Sequence, residues 1–99
     1  MAHIVVWSPR AIDDVHAVAA YIALDSEAYA ASVVRVILEK ARNLSDFPYA
    51  GRVVPEFGDD TIREVFAYSY RIIYRVEANE ITIAAVIHGK RILEMAIKP

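Results

Sequence analysis

The residues best equipped for chemistry in this chain are Arg71, His88 and Arg91, with Glu56 and Glu64 beside them in sequence order. Together they suggest general acid–base cleavage of RNA. That reaction needs a base for the 2′-hydroxyl, an acid for the leaving oxygen and cations for the charge that develops on phosphorus. The arginines supply cations, His88 an acid or base near neutral pH, and Glu64 or Glu56 a base. A plainer reading stands beside it. Arg71 and Arg75 are four apart on a strand-like run, so both point to one face, where solvent, Glu64 or Glu77 can satisfy them. His88 directly precedes Gly89 and can hydrogen-bond a turn.

Other chemistries find less support. His3, His16 and His88 are far apart and no HxxxH, HExxH or Cys/His cluster occurs, so no metal and no cofactor is expected. His16 follows Asp13 by three positions, the spacing of a helix-surface ion pair. The chain has no cysteine. None of Ser8, Ser26, Ser32, Ser45 and Ser69 sits in a GxSxG-like elbow, and three glycines do not make a phosphate-cradling loop. The aromatic set Trp7, Phe66, Tyr68, Tyr70 and Tyr74 can stack on nucleotides or pack half-buried strands against helices.

Composition narrows the class. Ninety-nine residues make one domain, 1–99, with a single modest core. The 57% apolar content is high for a soluble domain of this size. Some of that material should stay exposed in the isolated chain and mark a protein partner. The net charge of −2 argues against binding nucleic acid chiefly through phosphates. Basic residues do gather late: Arg63, Arg71, Arg75, Lys90, Arg91 and Lys98 outnumber Glu64, Glu77, Glu80 and Glu94. No secretory leader or membrane-spanning run is evident, which places the chain in the cytoplasm.

The elements that must position these residues follow from pattern. His3 to Trp7 reads as a strand. Ser8-Pro9 starts a helix, with serine as cap and proline in the first turn; Ile12, Val15, Ala19 and Ile22 then recur at helical spacing. Asp25-Ser26 breaks that helix and caps a second, on which Val33, Ile37, Ala41 and Leu44 form an apolar stripe while Arg35, Glu39 and Arg42 face solvent. Phe47 to Asp60 contains Pro48, Gly51, Pro55 and Gly58 and reads as a loop. Ile62 to Ala67, Tyr70 to Val76 and Glu80 to His88 are strands, the last two joined by a turn at Glu77-Ala78-Asn79. Lys90 to Pro99 is a short tail. The order β-α-α-β-β-β predicts an α+β fold, a two-helix hairpin packed on a small antiparallel sheet. The imperfect alternation of Tyr70 to Val76 suits a strand with one face on helices and the other on a partner.

The sequence also resembles a known superfamily. Ser8-Pro9, Phe47-Pro48, Gly51-Arg52, Glu56, Arg63, the Tyr70 to Val76 strand and Val86-Ile87-His88-Gly89-Lys90-Arg91 occur in the order found in the RelE/ParE toxins of type II toxin–antitoxin pairs. The resemblance spans nearly the whole chain and implies the same fold. It further implies a toxin that a cognate antitoxin wraps and neutralises. RelE-like members cleave mRNA on the ribosome; ParE-like members are associated with poisoning DNA gyrase and need no nuclease residues. Arg71 and Arg91 match two arginine positions of the RelE-like pattern. The lysines expected around the central loop are replaced by Val53, Val54 and Pro55, and the tail offers Met95 and Ile97 but no tyrosine. These departures favour the ParE-like branch with gyrase as target; the alternatives are a ribosome-dependent mRNA endonuclease using Arg71, His88 and Arg91, and a non-toxic interaction protein. Ile12, Val15, Ile22, Val33, Ile37 and Leu44 are the expected antitoxin surface, and Arg63, Arg75 and Lys90 the expected contacts to the target.

Overall fold

A computed structural model of the chain describes residues 2–90. Strand β1 (Ile4–Trp7) leads into helix α1 (Pro9–Ala23) and helix α2 (Glu27–Asn43), followed by β2 (Arg52–Val53), β3 (Ile62–Ala67), β4 (Tyr70–Val76) and β5 (Glu80–His88). Both helices start where the sequence places them. The Ser8 hydroxyl accepts from the Ala11 amide at 3.0 Å and Ser26 from Tyr29 at 3.0 Å, each satisfying one of the amides that a first turn leaves unbonded. Lys40 and Arg42 in the last turn of α2 complement the negative end of its dipole.

The five strands form one sheet in the order β1-β5-β4-β3-β2. The pairs β2–β3, β3–β4 and β4–β5 are antiparallel, but β1 pairs with β5 in parallel. The sheet is therefore mixed where the sequence suggested antiparallel. The reason is topological. The helix hairpin delivers the chain to the far edge with β2 running opposite to β1, and the three reversals from β2 to β5 return it beside β1 in the same direction, as a parallel pair requires of its crossover. Nothing local in Ile4–Trp7 reveals that partner. Strand β2 also falls inside the stretch read as loop; two residues carry too little periodicity to be seen.

The helix hairpin covers one face of the sheet. Ala11, Val15, Val33, Ile37, Ala41 and Leu44 from the helices meet Ile72, Tyr74, Val76, Ile81, Ile83 and Val86. The opposite face has its own small core of Val54, Ile73, Ala85 and Ile87, with Ile62 against it. The loop after β2 roofs this second core, and Val54 is fully buried within it. This explains why Ile72, Ile73 and Tyr74 are all buried: the second face of β4 is covered by the chain's own loop, where the sequence reading put a partner. A register shift between Ile73 and Tyr74 pairs them with Ala85 and Ile83, leaving Ala84 as a bulge on β5. The start of α1 pins that bulge, with the Ser8 amide donating to the Ile83 carbonyl at 3.0 Å and its hydroxyl to that of Ala84 at 3.1 Å. Beyond the bulge the Asp14 carboxylate accepts from the Val86 amide at 2.9 Å, so this edge of β5 is closed by a side chain once β1 has ended.

Candidate functional site: a tied arginine and an open helical groove

Strand pairing decides which polar residues can act together. Arg71 lies opposite Phe66 on β3 and Ile87 on β5, on the face away from the helices. There its guanidinium is nearly buried and fully engaged. Nε donates to Glu64 at 2.6 Å, and the two terminal nitrogens donate to the two oxygens of Glu56 at 2.8 and 2.9 Å. The second oxygen of Glu64 takes the Arg52 Nε. The bidentate Glu56 contact, opposed by burial and helped by Glu64, raises the Arg71 pKa further above that of an ordinary guanidinium. Two arginines and two glutamates thus balance in charge and join β2, β3, β4 and the roofing loop. Arg71 is held as a structural cation, with its donors turned to carboxylates and not to a phosphate.

His88 is elsewhere. It pairs with Tyr70 on the helix side of the sheet and is exposed at the end of β5. Its Nδ1 accepts from the Lys90 amide at 3.2 Å, the turn contact that the sequence allowed, and its ring stands edge-on to Tyr70 with centroids 5.6 Å apart. Arg71 and His88 therefore do not share a site. Arg91 lies outside the described residues. Among the described residues no group of three or more His, Cys, Asp or Glu is placed to hold a metal ion.

The candidate target contacts differ among themselves. Arg63 is built into the loop: it donates to the carbonyls of Asp60 at 2.9 Å and Gly51 at 3.0 Å and lies 4.8 Å from the Tyr49 ring centroid. Arg75 and Lys90 are exposed. Arg75 borders a depression of about 260 Å³ with Phe57, Ile62, Ile73, Tyr74 and Ala84.

The expected antitoxin surface needs correction. Val15, Val33, Ile37 and Leu44 are 8, 0, 0 and 2% exposed, because the stripe they form is the one that packs on the sheet. Ile12 is exposed, and Ile22 is half-buried against the core. The open apolar surface lies one face over. A groove of about 400 Å³ is lined by Trp7, Ile12, Val15, His16, Val34 and Leu38. Through Val34 and Leu38 it continues into a trough of about 640 Å³ lined by Ala19, Ala20, Ala23, Ala30, Ala31 and Arg35. Alanines facing each other across the hairpin keep the trough shallow and free of bulky side chains. The sequence signal was there: Ala31, Val34 and Leu38 form a second helical stripe beside the first.

The aromatic set divides in the same way. Tyr74 is fully buried and Trp7 and Tyr70 pack on the core, whereas Phe66 and Tyr68 are 42 and 53% exposed.

The family described as "ParE toxin of type II toxin-antitoxin system, parDE" matches residues 5–93. The chain belongs to the ParE toxin family. Membership implies an antitoxin as partner, and an open apolar groove on a small domain is the kind of surface such a partner needs. This ParE-family chain is similar in fold to a solved structure titled "Chromosomal ParDE TA system from P. aeruginosa". Identity is 21%, the TM-score 0.72, and the match covers 88% of this chain and 96% of that one. A second likeness is to "The structure of YoeB dimer from Staphylococcus aureus", at 16% identity and TM-score 0.61, covering 89% of this chain and 98% of that one. No protein with a curated description matches the chain significantly. Among the described residues no helix is long and apolar enough to cross a membrane.

Proposed function

We propose that this ParE-family toxin acts by binding DNA gyrase and not by cutting RNA, and that its cognate antitoxin neutralises it by laying an apolar helix into the groove on the helix hairpin. The observation that carries the first half is the placement of Arg71 and His88. One is locked between Glu56 and Glu64 and the other lies across the sheet. General acid–base cleavage needs its groups within hydrogen-bond reach of one reacting centre, and this pair offers none. A binding toxin needs only an accessible surface, and Arg75 and Lys90 are exposed candidates for it.

The groove supports the second half. Its apolar floor suits an amphipathic helix read through i, i+3, i+4 and i+7 anchors, and Arg35 at its rim suits an acidic residue on that helix. Ile12, Val34 and Leu38 would be the contacts, with Ile22 reached only at its exposed edge.

Controlled expression of the chain without its antitoxin tests this reading. Growth arrest with altered plasmid supercoiling or broken DNA and intact mRNA is expected. Arrest with cleaved mRNA would replace it by ribosome-dependent endonuclease activity, and absence of arrest would leave an interaction protein.

A further inference from the structure

Residues from six segments line a cleft of about 260 Å³. Tyr21 comes from the last turn of α1, Asp25 from the link between the helices and Tyr29 from the first turn of α2. Tyr68 lies in the β3–β4 turn, and Tyr70 and His88 are strand-end neighbours. Tyr29 and Tyr68 stand edge-on with centroids 5.8 Å apart, as Tyr70 and His88 do at 5.6 Å. Tyr21, Tyr29 and Tyr68 are 71, 50 and 53% exposed. None of the four phenol hydroxyls has a hydrogen-bond partner among the described residues, and no cation there pairs with Asp25.

We infer that this tyrosine-lined cleft is a docking site for an arginine side chain presented by a protein partner. Charge selects the occupant. Tyrosine ring faces are negative and attract a cation held over them, most effectively when several rings converge. Asp25 adds a full negative charge at the wall. Asp14, in the adjoining depression, is already taken by Arg10 and by the Val86 amide. Among the described residues the lining carries no lysine or arginine, and His88 directs its Nδ1 to the backbone. An anionic nucleotide phosphate would therefore meet a carboxylate and no counter-charge. A guanidinium suits the site better than an ammonium, because a planar fork stacks on a ring while donating twice to a carboxylate.

The backbone supplies an independent sign. Tyr68 adopts φ +54°, a left-handed conformation that a tight hairpin turn favours but that glycine or asparagine enters far more readily than a bulky aromatic. The turn thus carries a tyrosine where a smaller residue would fold better, and strain of this kind gathers at binding sites. The Tyr68 side chain therefore has a use at the cleft.

The test needs neither the antitoxin nor the target, so it stands apart from the gyrase reading. The full chain, labelled at its aromatic rings, is titrated by NMR with acetyl-Gly-Arg-Gly-amide, with the same peptide carrying citrulline, and with AMP. Saturable shifts of the tyrosine and His88 rings are expected with the arginine peptide and at least tenfold weaker binding with citrulline, which keeps the shape and lacks the charge. Tyr68→Gly should raise the melting temperature and Asp25→Asn leave it unchanged, while each weakens the arginine peptide at least fivefold. Equal response to both peptides overturns the inference, as does binding that survives both variants. So does a response to AMP alone, which would assign the rings to base stacking.

Discussion

Arg71 and His88 are separated by the thickness of the sheet although their strands are paired. Arg71 lies opposite Ile87, and His88 opposite Tyr70. Because successive side chains on a strand point to opposite faces, a one-residue offset sends the arginine to the loop-roofed side and the histidine to the helix side. Charge reinforces the separation, since Arg71 is held by two carboxylates while His88 stands among tyrosines. The pair that looks most catalytic in the sequence is thus divided between architecture and surface.

The architectural half has a measurable size. Arg71→Met leaves the buried Glu64 carboxylate with Arg52 alone and Glu56 without its bidentate partner. Breaking a buried ion pair on one side typically removes about 3–5 kcal/mol, so the denaturant midpoint should fall by a large fraction of the protein's total stability. Replacing Glu64 by Gln in the Arg71→Met background should restore part of that loss, because it removes the stranded charge. A single variant as stable as wild type would show that the network holds nothing together.

Gly51 gives a second, purely steric prediction. A Cβ there would collide with the Glu64 carbonyl oxygen and come within 2.7 Å of the Tyr74 hydroxyl. The Gly51 amide also donates to that hydroxyl at 3.0 Å. Gly51→Ala should therefore destabilise by about 1–3 kcal/mol, as overpacking does. At Gly58 an added Cβ meets nothing, but φ is +61°, so Gly58→Ala should lose only about 1 kcal/mol through the left-handed backbone. Thermal melts of the two variants should rank them in that order.

How far the sequence reached follows the range of the interactions. The helix starts were legible because Ser8-Pro9 and Ser26 cap locally, and β3 to β5 because β-branched runs end at turns. The stripe of Val33, Ile37 and Leu44 suggests a partner in the sequence, yet in the fold it is buried in the core between helices and sheet. An apolar stripe reports burial and does not say against what. The pairing of Arg71 with Glu64 was among the options read from the chain, but Glu56 enters only because the loop folds back over the sheet. The roof over Ile73 was invisible for the same reason, as was the parallel partner of β1.

Tyr74 predicts how stability responds to alkali. Burial raises its phenol pKa above 10, with the Gly51 amide and the nearby Arg63 charge pulling the other way. The folded protein thus binds this proton more tightly than the unfolded chain does. The contribution is fully present below pH about 10 and is lost as pH rises through the raised folded value. Tyr70 is raised in the same direction by burial and by the Tyr21 and Tyr29 phenols, and adds to the effect. Phenolate absorbance should show delayed ionisation of these two rings, followed by cooperative unfolding. In Tyr74→Phe the alkaline fall in stability should be shallower; an unchanged pH profile would contradict the assignment.

The groove on the helix hairpin allows binding to be separated from folding. Ala20 and Ala31 line its trough and are exposed, from α1 and α2 respectively. An arginine at such a helix-surface site changes stability by no more than about 0.5 kcal/mol, yet it fills a trough that the alanines keep open and places a charge on an apolar floor. Ala20→Arg should therefore remain folded and toxic while its affinity for the cognate antitoxin drops at least about a hundredfold, the order of loss for an unpaired charge forced into an interface. Val33→Arg would not serve as a comparison, since that residue is fully buried and its substitution would unfold the core. Co-expression reads the difference directly: antitoxin that rescues growth from the wild-type chain should fail against Ala20→Arg. Full rescue would move the antitoxin off the hairpin and leave the groove without a partner.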